Sequence, residues 1–242
     1  MPPGGCASDF KKPGSAARDI VEARDVHIPP LGLAGTLNIP ADAFGLVVFV
    51  HGSGSSRLSP RNTEVARAFN GHGLATLLFD LLTADEEIDR ANVFDIRLLT
   101  DRLLNVIRWL DEQGRLAHLP LGLFGASTGA AAALCAAATL SDRVAAVVSR
   151  GGRPDLAGEA LNKVKAPTLL IVGGADFGVI DLNEQALQRL AGTKSLEVVP
   201  HATHLFPEAG ALDAVIRLAI RWFERYIPKA GTLKPRSGRN PR

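Results

Sequence analysis

"LGLFGASTG", residues 121–129, is an apolar run that ends abruptly in a serine with a glycine two positions away on either side. The run has the length and composition of a strand covered on both faces, and the "AAAALCAAATL" that follows reads as a helix. A serine raised on such a sharp strand-to-helix turn projects its hydroxyl from the end of a sheet. The strained backbone admits only small residues at the two flanking positions, here Gly125 and Gly129. The turn also sets the Thr128 amide and the positive end of the helix dipole beside Ser127, where negative charge developing on an oxygen is stabilised. Taken alone the spacing discriminates weakly, because eleven serines in a chain about one-tenth glycine give roughly a one-in-ten chance of some G-x-S-x-G. Its weight depends on what the rest of the chain supplies.

Upstream of this stretch, residues 24–28 and 33–39 flank "PPLG" as a candidate hairpin. "GLVVFVHG" at 45–52 is a continuous apolar, β-branched run, followed by a helix near 61–72 and a second buried strand, "LATLLFD", at 74–80. Ile96, Leu99, Leu103, Val106 and Leu110 recur at helical spacing and predict a helix over 95–112. Downstream, "RVAAVVSR" at 143–150, "APTLLIVGG" at 166–174 and "KSLEVVP" at 194–200 read as strands. Leu212, Val215, Ile216, Ala219, Ile220 and Phe223 define a last helix. Strands alternating with helices predict an α/β fold: a mainly parallel central sheet, helices on both faces and an N-terminal hairpin. Ligands of such sheets gather outside the carboxyl ends of the strands.

At those ends stand His51, Ser53, Asp80, Ser127, Arg150, Asp176 and His204. Nucleophile, acid and base thus occur in the order Ser…Asp…His, each after its own strand, which an incidental serine would not require. Asp176, in the turn after "LLIVGG", is placed to meet a histidine Nδ1 proton and fix the tautomer. Asp181 is the alternative, but it resembles a helix cap or first-turn acid, and Asp176 is preferred. Of the two histidines in "VVPHATHLFPE", His204 lies farther into the loop and is preferred as general base over His201. An oxyanion hole needs a second amide besides that of Thr128, and the Ser53 N–H after "VFVHG" is the candidate. His51 is read as structural, bonding the loop backbone.

Composition bounds the remaining classes. The chain of 242 residues carries a net charge of +2, unevenly placed. The tail "KAGTLKPRSGRNPR" holds five cations and no acid, and without it the chain is about three units negative. That tail, 229–242, reads as disordered and solvated rather than as a nucleic-acid-binding arm. "MPPGGCASDFKKPGSAARD", residues 1–19, lacks the apolar stretch of a secretory signal and reads as a mobile leader, which leaves 20–228 as the folded domain. No apolar run reaches the roughly 18–20 residues of a membrane helix, so no membrane partner is expected. Two cysteines, Cys6 and Cys135, form neither a disulfide framework nor a metal set, which suits a reducing cytoplasm. No metal or other cofactor is called for. Four arginines, Arg57, Arg61, Arg150 and Arg153, fall near the carboxyl-end rim. Any one of them has the alternative of pairing with a nearby acid such as Glu64, Asp80 or Asp155, or of facing water, but four guanidinium forks at one rim predict a substrate bearing an anionic group.

The segments "HGSGSS", "GASTG", "GGAD" and "HATH", with the alternation of strands and helices between them, resemble the α/β-hydrolase superfamily over residues 20–228. Within it the chain is similar to the dienelactone-hydrolase-like branch, including small hydrolases found fused to phosphoribosyltransferase domains. The resemblance implies an esterase or lactonase that uses a serine or cysteine nucleophile with aspartate and histidine, acts on a small-molecule ester or lactone, and needs no cofactor. Dienelactone hydrolases proper carry cysteine where this chain has Ser127. Lipase-like members often insert a helical lid after the sixth strand. Here only "GGRPDLAGEALNKVK" stands in that place, which predicts no large lid and an open pocket. Two other classes compete. A nucleotide-binding Rossmann domain would use Gly52, Gly54 and Asp80, but its third glycine is Arg57 and it leaves Ser127, Asp176 and His204 without a role. A non-catalytic binding module on the hydrolase fold is the other.

Overall fold

The computed structural model describes residues 20–228. The leader 1–19 and the basic tail 229–242 lie outside the described residues. The chain opens with the antiparallel hairpin β1 (Ile20–Ile28) and β2 (Leu33–Pro40), whose register pairs Val26 with Gly35. Then come β3 (Gly45–Val50), α1 (Pro60–Gly71), β4 (Leu74–Phe79), the short α2 (Ala84–Ile88) and α3 (Ile96–Asp111). The second half runs through β5 (Leu121–Ala126), α4 (Thr128–Thr139), β6 (Val144–Arg150), β7 (Thr168–Gly173), α5 (Phe177–Arg189), β8 (Lys194–Val199) and α6 (Ala211–Tyr226). All eight strands join one sheet in the order β1-β2-β4-β3-β5-β6-β7-β8. β1–β2 and β2–β4 pair antiparallel and every other neighbour pairs parallel.

The central strands are buried along their whole length, and their side chains divide by period two between two cores. Val48, Leu77 and Leu123 face Leu103 and Val106 of α3 and the alanines of α4. Val47, Phe49 and Phe124 face Val65 and Phe69 of α1 and Val215, Ala219 and Phe223 of α6. Helix α3 starts where Asp95 caps it, accepting from the Leu98 amide at 3.0 Å. Helix α4 is apolar all round, and nine of its residues are buried, because a helix wedged between sheet and neighbours keeps no polar stripe.

The connection from β6 to β7 holds a 3₁₀ segment over Pro154–Lys163, kinked at Gly158, where a lid would stand. No helix among the described residues is long and apolar enough to cross a membrane.

Opposite α4, four rings lock the other core. Phe69 meets Phe124 and Phe223 edge-on, both at 5.6 Å between centroids, and Phe49 sits 5.0 Å from Phe124. Phe223 reaches the sheet because Gly122 has no side chain: a methyl there would lie 2.7 Å from Phe223 Cε1. Phe223→Ala is therefore expected to cost about 3–5 kcal/mol, the range for a buried aromatic that leaves a cavity. Urea unfolding checks it: the midpoint should fall with the m-value unchanged.

Candidate active site

Strand β5 passes into α4 through Ser127, whose backbone sits at φ +49° and ψ −126°, a region that L-residues rarely adopt. Its neighbours make the conformation possible. A methyl on Gly129 would lie 2.1 Å from the Val50 carbonyl oxygen, and one on Gly125 would lie 2.5 Å from the Ala130 Cα. Gly129 therefore lets the elbow seat against the end of β3, and Gly125 lets the start of α4 fold back onto β5. The Ser127 carbonyl accepts from the Ala130 amide at 3.1 Å and from the Arg153 amide at 3.0 Å, which ties the turn to the loop after β6.

Asp176 and His204 arrive on two loops that are joined through their backbones. The Gly174 amide donates to the Val199 carbonyl at 2.8 Å and the Ala175 amide to the Ala202 carbonyl at 2.9 Å. Buried Ala202 and Phe206 anchor the His204 loop on either side, and the Thr203 hydroxyl donates to Glu208 Oε1 at 2.6 Å. His204 Nδ1 then lies 2.7 Å from Asp176 Oδ2, so the Nδ1 proton goes to the carboxylate and Nε2 is left as the free nitrogen. Asp176 also stands at the N-cap of α5, but its carboxylate makes no cap bond there. Asp181 lies inside α5, past its first turn, so the cap position anticipated for it belongs to Asp176.

Ser127 and His204 both line a cavity of about 900 Å³ at the carboxyl end of the sheet. Ser53 lines it as well, and its amide donates to Thr128 Oγ1 at 3.2 Å. The two residues expected to form the oxyanion hole are thus in contact, with the Ser53 N–H directed at a neutral hydroxyl. His51 is taken up by the backbone. Its Nδ1 lies 3.0 Å from the Gly52 carbonyl and its Nε2 accepts from the Leu81 amide at 3.1 Å, while burial pushes its pKa below the ordinary histidine value.

The four rim arginines divide into two pairs. Arg57 does not line the cavity and is held by Asp80, through its side chain at 2.8 Å and its own amide at 2.7 Å. Arg153 forms a fork with Asp155 at 2.8 and 2.9 Å and does not line the cavity either. Of the two readings open for these arginines, Arg57 and Arg153 take the one in which a nearby acid, Asp80 or Asp155, is the partner. Arg61 and Arg150 do line the cavity, and neither has a carboxylate partner among the described residues. Burial, together with the nearby Arg61 charge, brings the Arg150 guanidinium down to about 10.

Sequence reasoning missed part of the wall. Glu87, Arg90 and Val93 line the cavity from α2 and the turn after it. The signal was present in "TADE": Thr83 and Glu86 form a reciprocal capping box, which marks a helix start. Among the described residues no group of three or more His, Cys, Asp or Glu could hold a metal ion.

Comparison with known proteins places the fold in a family. Residues 34–214 match the dienelactone hydrolase family. A dienelactone hydrolase from Anabaena variabilis is 55% identical, superimposes with a TM-score of 0.82, and is matched over 86% of this chain and 98% of its own. A serine hydrolase without a lid from Xanthomonas campestris shares the fold at 23% identity, with a TM-score of 0.67 over 86% of this chain and 96% of its own. A protein named putative phosphoribosyl transferase from Mycobacterium tuberculosis is 59% identical over 194 residues, 80% of this chain. The chain spans only 44% of that relative's length. By sequence over most of its length, and by an eight-stranded sheet in the α/β-hydrolase arrangement, the chain belongs to the dienelactone hydrolase family.

Proposed function

We propose that the chain is a serine hydrolase of small esters or lactones, working through an acyl-enzyme. The observation that carries this reading is the 2.7 Å contact between His204 Nδ1 and Asp176 Oδ2, in a histidine that shares its cavity with the strained Ser127. His204 Nε2 takes the Ser127 proton as the hydroxyl oxygen attacks the carbonyl carbon, and returns it to the leaving alcohol. Asp176 holds the ring in its tautomer and stabilises the imidazolium that forms. The Ser53 and Thr128 amides receive the oxyanion. Water, activated by the same histidine, then attacks the acyl-enzyme and frees Ser127. The missing lid favours small, soluble substrates. Arg61 and Arg150 favour substrates with an anionic group. The transferase name of the longer Mycobacterium relative is not carried over, since the match there covers less than half of that protein.

Ser127→Ala should fold as the parent does and lose several orders of magnitude of ester turnover, with only oxyanion and binding contributions left. Turnover of p-nitrophenyl acetate, together with covalent labelling by a fluorophosphonate probe, reads this. A parent protein that neither turns over nor labels is a binding module on a hydrolase fold.

Asp176→Asn is expected to lower kcat by about 10⁴-fold at near-constant KM, because the amide stabilises the wrong histidine tautomer. A loss below tenfold would move the orienting role elsewhere. For the arginines, the measured quantity is the ratio of kcat/KM for an anionic ester to that for a neutral ester of equal size. Arg61→Ala should lower it about tenfold, corresponding to the loss of one charge-assisted contact. Arg57→Ala and Arg153→Ala should leave the ratio where it was, since each cation is already spoken for by aspartate.

A further inference from the structure

Arg150 ends β6 opposite Ala126, the residue before Ser127, so its guanidinium starts one strand away from the candidate nucleophile. It is only 7% exposed, yet its Nε and Nη1 are buried with no hydrogen-bond partner, and Arg61 Nε is in the same state. A buried cation that lacks a partner is costly, and native structures keep one only where something else supplies the partner. The nearby acids do not supply it. Asp80 is committed to Arg57, Asp155 to Arg153 and Glu86 to Arg102. Around the cavity, Arg61, Arg90 and Arg150 face one carboxylate, Glu87, which leaves two positive charges in excess.

The donors beside the two arginines differ in kind and direction. Ser53, Ser55, Ser56 and Ser59 of the loop after β3 line the same cavity. Helix α1 opens there too: it has twelve residues and begins at Pro60, which has no N–H. Its cap residue Ser59 takes the Thr63 amide on its carbonyl at 2.9 Å but offers no side-chain cap, so the Arg61 and Asn62 amides and the dipole have no acceptor from the Ser59 side chain. A carboxylate is planar, carries one charge and is satisfied by one guanidinium fork. Two guanidiniums on separate elements, hydroxyls and a helix end together suit a tetrahedral anion with three free oxygens and a charge near −2, which at neutral pH is a phosphate monoester.

We propose that the cavity accepts a phosphorylated substrate, its phosphate monoester held between Arg61 and Arg150 over the serine-rich loop 53–59, with the scissile ester or lactone carbonyl presented to Ser127. The phosphate subsite stands on the arginines and the loop. Only the statement that an ester or lactone is cleaved rests on the hydrolase reading above. The guanidinium of Arg150 stays charged at neutral pH, but burial brings its value in the folded protein down to about 10, below that of the free group. Folding is therefore penalised at every pH below that folded value, and an anion bound beside it relieves the penalty, so phosphate binding should be visible as added stability.

The test compares phenyl phosphate with benzoate on the full chain, by titration calorimetry and by thermal melting. Phenyl phosphate is expected to bind at least about tenfold more tightly and to raise Tm, and Arg61→Ala should weaken it about tenfold or more. Arg150→Met should do the same; should that buried variant fail to fold, the Arg61 result decides. Equal binding of benzoate would make the subsite one for carboxylate and overturn the proposal, as would unchanged phenyl phosphate affinity in Arg61→Ala. Turnover of p-nitrophenyl acetate in the parent is scored separately. Phosphate binding without turnover sinks the hydrolase reading alone, and turnover without phosphate preference sinks this one alone.

Discussion

One strained residue, Ser127, and the close approach of Gly129, two residues on, to the Val50 carbonyl govern much of this molecule. Holding Ser127 at φ +49° costs on the order of 1–3 kcal/mol, and such a residue persists only where its surroundings over-determine it. Here the α4 end of the elbow is pressed against the Val50 carbonyl, the Ser127 carbonyl is held from the β6 loop, and the alanines of α4 are packed on all sides. Moving Ser127 would therefore mean moving β3, β6 and a buried helix together. The strain is local, whereas its restraint is spread over the centre of the sheet.

The parts of the fold that depend on period and turn chemistry were legible in the sequence. Every long strand and helix anticipated from apolar spacing has its counterpart in the structure, displaced by at most a few residues at the ends. Strand β1 begins at Ile20 rather than Arg24, because its early residues are held by pairing with β2 and not by burial. The shorter α2 has no buried residue and so no apolar period to read. For the site, the order Ser127, Asp176, His204 followed from the glycine-flanked turn together with the rule that ligands gather at strand ends, and the structure brings Asp176 and His204 into contact. The arginines were a different problem. Glu64, Asp80 and Asp155 stand out as possible partners, but which arginine takes which acid, as Arg57 takes Asp80 twenty-three residues away, depends on long-range contacts that no local pattern encodes.

That partition of the arginines has an electrostatic consequence for the whole carboxyl-end face. Partly exposed ion pairs such as Arg153–Asp155 contribute little to stability. Their effect is on the field. By taking up Asp80 and Asp155, Arg57 and Arg153 leave Arg61, Arg90 and Arg150 with Glu87 alone around the cavity, two positive charges in excess at a concave site that focuses the field. The sequence as a whole is close to neutral, so the positive potential at the mouth is a matter of arrangement and could not be read from composition.

The contact between Ser53 and Thr128 connects this arrangement to the chemistry. In the resting site the Ser53 amide donates to a neutral hydroxyl at 3.2 Å, the long end of the ordinary range. Thr128 is 3% exposed, so the contact fixes the loop after β3 upon the elbow before any substrate arrives. Under the acyl-enzyme reading, the oxygen that becomes negative in the tetrahedral intermediate competes for the same amide as a charged acceptor, and such bonds are about twice as strong as neutral ones. A ground-state carbonyl, being neutral, has little advantage over the threonine hydroxyl it must displace. The exchange thus favours the intermediate over the substrate, which is the differential binding that accelerates a reaction. The same threonine can in this way hold the loop in place at rest and release the amide only when charge appears.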